Sequence, residues 1–66
     1  MNMNKLRAKI VEQEMNVEQL AEIIGMTAPT LYRKMRAPLK MTIGEAIQIK
    51  DVLGLTDEEA LEIFLF

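Results

Sequence analysis

Two residue types that carry much of enzyme and metal chemistry are missing: the 66-residue chain has neither cysteine nor histidine. Thiolate nucleophiles, disulfides, the usual zinc ligands and imidazole acid–base catalysis therefore have no carrier. There is no glycine-rich phosphate loop and no pair of carboxylates in a plausible cleft, and a bundle of this size has little room for a pocket. No enzyme activity, cofactor, metal or small-molecule substrate is expected. What the sequence does hold is a tract over residues 26–40 in which Arg33, Lys34, Arg36 and Lys40 stand with no acid among them and with Thr27, Thr30 and Tyr32 interleaved. Cations and hydroxyls in this pattern do non-covalent chemistry, pairing with anions and donating hydrogen bonds.

The net charge is −2, which argues mildly against a nucleic-acid partner. The distribution says more. Residues 1–11 carry Lys5, Arg7 and Lys9 and no acid; residues 12–25 carry Glu12, Glu14, Glu18 and Glu22 and no base. The cationic tract follows, and after it Glu45, Asp51, Asp57, Glu58, Glu59 and Glu62 face Lys50 alone. If the two basic blocks meet in space, one face is positive on a molecule that is acidic in sum. The alternative is a set of solvated helix surfaces.

Half of the residues are hydrophobic and 27% are charged, a composition that folds rather than stays disordered. One domain over 1–66 is expected, of marginal stability because so short a chain buries only about 60% of its unfolded surface. No apolar run approaches the roughly 18 residues that span a bilayer. Met1 is followed by Asn2 and Asn4 rather than an apolar stretch, so a soluble, cytoplasmic protein with no membrane partner is expected.

Local punctuation predicts an all-α chain of five helices. The first covers about 3–13, with Leu6 and Ile10 on one stripe. The second opens at Asn16, with Gln19 at capping-box spacing and Met15 and Leu20 placed to staple the cap; it runs through Leu20, Ala21 and Ile24 and stops at Gly25. The third opens at Thr27 with Pro29 in its first turn and turns Leu31 and Met35 inward; Pro38 ends that region. Thr42 with Glu45, and Thr56 with Glu59, make two more boxes. The fourth helix then presents Ile43, Ala46, Ile49 and Leu53 inward and stops at Gly54. The fifth carries Ala60, Leu61, Ile63, Phe64, Leu65 and Phe66, of which Phe64 is expected to be buried and Phe66 exposed.

Residues 16–36, NVEQLAEIIGMTAPTLYRKMR, read as a short helix, a turn containing Gly25 and a second helix. That is the layout of a helix-turn-helix. Ala21 is small where the helices must cross, and Gly25 takes the positive φ that reverses the chain. The chain resembles the helix-turn-helix family of small phage repressors and Cro-like proteins, in particular those of Gram-positive phages. The resemblance includes Leu6 to Ile10 before the motif, the run TLYRKM in the second helix, and IKDVLGL after it. It implies a compact, lambda-repressor-like five-helix fold, double-stranded operator DNA as partner and a role as a transcriptional regulator that occupies an operator. Positions where the family often has Gln, Ser, Lys or Asn hold Val17, Ala28 and Pro29. These make no bidentate hydrogen bond to a base, although apolar groups can meet a thymine methyl.

Under this reading the third helix enters the major groove. Its contact set is Asn16, Val17, Thr27, Ala28, Pro29, Thr30, Tyr32, Arg33 and Arg36. Arg33 either binds guanine O6 and N7 or holds a phosphate; Arg36 holds phosphate. Tyr32 donates to phosphate, lays its ring on a sugar, or packs on the domain surface. Thr27 is first an N-cap, and Asn16 and Val17 begin a helix whose free N–H groups suit an anion. Lys5, Lys9, Lys34 and Lys40 are candidate phosphate contacts; Lys5, Arg7 and Lys9 of the first helix are placed to flank the DNA backbone, the alternative being solvated charges. The acids of the last two helices should face away from DNA. The tail, with Leu65 and Phe66, is the candidate contact of a homodimer, because exposed apolar clusters mark interfaces; the alternative is burial within one chain. The competing function is a helix-turn-helix module that binds protein, of antitoxin or regulator-binding type.

Overall fold

Each helix begins where a side chain can satisfy its first N–H groups. The computed structural model of the chain describes residues 1–64, with Pro38 described by its backbone only. It contains α1 (Met3–Glu12), α2 (Val17–Ile24), α3 (Ala28–Arg36), a short 3-10 turn (Pro38–Lys40), α4 (Ile43–Leu53) and α5 (Asp57–Phe64), and no strand among the described residues. Asn2 caps α1 by accepting from the Lys5 N–H at 3.0 Å. Asn16 with Gln19, Thr42 with Glu45 and Thr56 with Glu59 each form a reciprocal capping box. Thr27 Oγ1 accepts from the Thr30 N–H at 3.4 Å and donates to Thr30 Oγ1 at 2.8 Å.

Three helices end alike, with a left-handed residue followed by a hydrogen bond back across the last turn. Gly25 (φ 80°) lets the Met26 N–H reach the Ala21 carbonyl at 2.9 Å, and Gly54 (φ 64°) lets Leu55 reach Lys50 at 3.0 Å. At the end of α1 the same place is filled by Glu14 (φ 56°), and the Met15 N–H reaches the Ile10 carbonyl at 3.1 Å. A non-glycine residue there carries the steric cost that glycine escapes.

The buried stripes meet in one core: Leu6 and Ile10 from α1; Leu20, Ala21 and Ile24 from α2; Leu31 and Met35 from α3; Ala46, Ile49 and Leu53 from α4; and Ala60, Ile63 and Phe64 from α5. Met41 and Leu55, from the connections, complete it, and α2 packs against both α3 and α4. Ala21 is fully buried. No buried side-chain polar atom among the described residues lacks a partner.

One apolar residue departs from the expected pattern. Ile43 is 67% exposed, not inward. Met41, just before the Thr42 cap, enters the core as the chain arrives at α4, and Ile43 in the first turn is left outside. Leu61 is 49% exposed because α5 buries the stripe of Ala60, Ile63 and Phe64, and the residue after Ala60 lies on its flank. No described helix is long and apolar enough to cross a membrane.

Ion pairs tie the helices together outside the core. Lys5 pairs with Glu62, and Lys9 with Glu59 and with Glu12 (3.2 Å), along the α1–α5 seam. The Asn2 N–H donates to the Ile63 carbonyl at 2.8 Å on the same seam. Lys34 of α3 pairs with Glu45 of α4, and Lys50 with Asp57 (3.2 Å) joins α4 to α5.

Candidate nucleic-acid interface

Helices α2 and α3 are joined through residues 25–27, at the bounds expected for two short helices and a turn. With Leu31 and Met35 buried, α3 turns a single stripe outward: Pro29, then Tyr32 and Arg33, then Arg36. The spacing i, i+3/i+4, i+7 places these on one face. Lys40, at the end of the 3-10 turn that follows, is also exposed. Arg33, Arg36 and Lys40 have no ion-pair partner among the described residues, and the exposed stripe of α3 contains no acid.

The remaining expected contacts are arranged unevenly around this stripe. Thr27 is exposed at the N-terminus of α3 with its hydroxyl engaged by Thr30. Thr30 and Ala28 are half-buried, and Ala28 packs against the core. Val17 is likewise half-buried against the core, while Asn16 beside it is exposed. Asn16 spends its side-chain oxygen on the Gln19 N–H at 2.8 Å, and the cap thereby orients the amide. The NH2 end of that amide is not part of the cap.

Tyr32 is 40% exposed, and its hydroxyl donates to Glu18 Oε2 at 2.8 Å. This hydrogen bond to a carboxylate raises the phenol above its ordinary value of 10.0. Glu18 was not among the expected site residues. A signal for it exists: Glu18 and Tyr32 lie equally far in sequence from Gly25, where the chain reverses, so the two helices bring them to the same level.

The lysines separate from the arginines. Lys5, Lys9 and Lys34, all candidate phosphate contacts, are committed to carboxylates within the chain. The Lys9 ammonium is held above its ordinary range by Glu59 and Glu12, and Glu59, which also accepts the Thr56 N–H, falls to about 2. Glu45 is lowered by Lys34 and by the Thr42 N–H. An acid of α4 therefore touches α3, on the side away from its exposed stripe. Arg7, by contrast, makes only a 3.4 Å hydrogen bond to Asn4 Oδ1 among the described residues. Leu65 and Phe66, the candidate dimer contact, lie outside the described residues.

No family model matches the chain, and comparison with curated proteins and with solved structures likewise gave no match.

Proposed function

We propose that the domain binds double-stranded DNA in a sequence-specific manner, with α3 in the major groove, and acts as a transcriptional regulator of the repressor or Cro-like kind by occupying an operator. One observation carries this reading. In a chain with more acids than bases, Arg33, Arg36 and Lys40 are left exposed and unpaired, among the described residues, along one helix and its following turn, whereas Lys5, Lys9, Lys34 and Lys50 are all paired. Unpaired arginines suit phosphates and guanine edges, for which their planar donors are shaped. In this arrangement Arg33 reads a base edge, Arg36 and Lys40 hold phosphates, and Thr27 and Pro29 approach the groove from the start of α3. Tyr32, its hydroxyl held by Glu18, offers its ring. The chemistry is binding alone.

Selection from random duplexes followed by a salt titration tests the reading. A preferred sequence should emerge, and log K should fall linearly with log salt, with a slope of about −0.9 per phosphate engaged. Absence of saturable duplex binding at low salt would refute it.

A second reading, a module that binds protein, is favoured by the exposure of Leu39 (93%), Ile43 (67%) and Ile47 (47%), two of which stand one turn apart on α4. The same apolar side chains suit self-association on a two-fold operator, so the two readings part on the duplex titration.

A further inference from the structure

Two surfaces of the molecule are unmatched, and each supplies what the other lacks. The first is a shallow groove of about 350 Å³ where the end of α1 meets the start of α2 and the flank of α3. Its floor is apolar, with Val11, Met15, Val17 and Tyr32, and Arg7 is the only charged residue that lines it. Val11 is 71% exposed. Arg7 has no ion-pair partner among the described residues. Tyr, Met and Arg are residue types that protein interfaces favour.

The second surface is the outward side of α5. Leu61 stands there half exposed, with Asp57, Glu58 and Glu62 around it on a helix that contains no base. Asp57 and Glu62 are drawn to either side by Lys50 and Lys5. Glu58, one turn before Leu61, has no ion-pair partner among the described residues. A single exposed leucine is ordinary. A leucine one turn from a spare carboxylate, on a chain that also has an apolar groove beside a spare guanidinium, makes a complementary pair in both shape and charge. The two cannot meet within one copy. Lys5 and Lys9 bind α5 to one flank of α1, and Arg7, about 200° around the helix from Lys5, lies on the other.

We infer that the groove of one copy receives α5 of a second copy, with Leu61 seated on Val11 and Met15 and Glu58 meeting Arg7, so that copies associate head to tail. Groove and helix are different surfaces, and such a contact builds rings or open arrays, not a two-fold dimer. The contact is small and its ion pair is exposed, so the association is weak and concentration-dependent. It also limits DNA binding, a consequence that rests on the DNA reading above. Tyr32 belongs both to the groove and to the exposed stripe of α3. A seated α5 covers that edge of the stripe, so assembled and DNA-bound copies exclude one another, and the domain restrains itself as it accumulates.

Sedimentation equilibrium over a range of concentration, with circular dichroism as the check of folding, compares wild type, Leu61→Gln, Arg7→Glu and Glu58→Arg. Wild type should gain mass with concentration, and each variant should lose most of that gain. An equimolar mixture of Arg7→Glu and Glu58→Arg should regain association, because each new charge then faces its opposite. Tyr32 is the only tyrosine in a chain without tryptophan, so its fluorescence should change with concentration in wild type and not in Leu61→Gln. A wild type that stays a single copy, variants that associate as it does, or a mixture that stays dissociated overturns the inference. On duplex DNA, Leu61→Gln should match wild type where both are single copies and bind more tightly where wild type assembles. Equal duplex affinities at every concentration overturn the mutual exclusion. A wild type that binds no duplex defeats the DNA reading, and the head-to-tail contact is then decided by sedimentation alone.

Discussion

Tyr32 is the only tyrosine and tryptophan is absent, so ultraviolet titration reads its contact with Glu18 in isolation. The phenol should titrate above 10.0, and Glu18→Gln should bring it back toward that value. The sign of the stability effect follows. A group whose folded value is raised stabilises the fold fully below its unfolded value, and that contribution is lost as pH rises through the raised one. Glu18→Gln should therefore melt lower than wild type at neutral pH and lose less stability as pH rises past 10.0, and identical phenol titrations would show that the hydrogen bond does not persist in solution. At this scale the sequence was legible where one residue has one strong local role. Asn16, Thr27, Thr42 and Thr56 cap as their spacing requires. It was illegible where a side chain chooses among partners distant in the chain: helical spacing sets Lys5 and Lys9 on a different flank of α1 from Arg7, but not which flank meets α5.

Helix ends supply the next scale. Glu14 and Gly25 occupy equivalent left-handed places, and only one is a glycine. Glu14→Gly should stabilise the domain by about 0.5–1 kcal/mol, the left-handed penalty of an L-residue less the extra freedom of an unfolded glycine. Gly25→Ala should cost about 0.5–1 kcal/mol by the same balance, since an added Cβ would meet nothing within 4 Å. Urea denaturation of the two variants would show opposite shifts in midpoint at equal slope. Gly25 and Gly54 marked their helix ends in advance; Glu14 gave no such sign, which is why the first helix was expected to run one residue beyond its observed end at Glu12. The Ile43 expectation failed for a related reason. Periodicity assigns a face to every residue of a helix but does not see that Met41, outside the helix, fills the same space first.

The α1–α5 seam also has a pH signature. Glu59 is lowered from an ordinary 4.5 to about 2, chiefly by Lys9 and then by the Thr56 N–H. A depressed carboxylate stabilises the fold above its unfolded value and ceases to do so as pH falls through the folded one. The melting midpoint should thus decline between about pH 4.5 and pH 2. Glu59→Gln keeps a capping-box residue but removes the charge. It should melt lower than wild type at neutral pH and lose less on acidification. Parallel declines in the two proteins would mean that the seam contributes nothing to acid stability.

For the molecule as a whole, one core closed by Phe64 holds the helices together. Phe64 is 2% exposed, so Phe64→Ala should cost about 3–5 kcal/mol. A domain of this size has little more than that in total. Calorimetry should find the variant largely unfolded at 37 °C, and a midpoint near that of wild type would place the closing contact elsewhere. The architecture follows from caps and stripes that agree along the whole chain, and for that reason the five helices and most of the core could be read from the residues in advance. Function is carried differently. The proposed function rests on which charges remain unneutralised after folding, a property of the assembled surface and not of any segment. In the proposed function the unpaired arginines of α3 engage DNA. The most direct measurement is the salt dependence of duplex affinity for wild type, Arg33→Ala and Arg36→Ala. The slope should fall by about one unit for each phosphate no longer engaged, and Arg33→Ala should cost a further ~1–3 kcal/mol on the preferred sequence alone where Arg33 reads a base. Slopes and affinities unchanged in both variants, with folding intact, would contradict it.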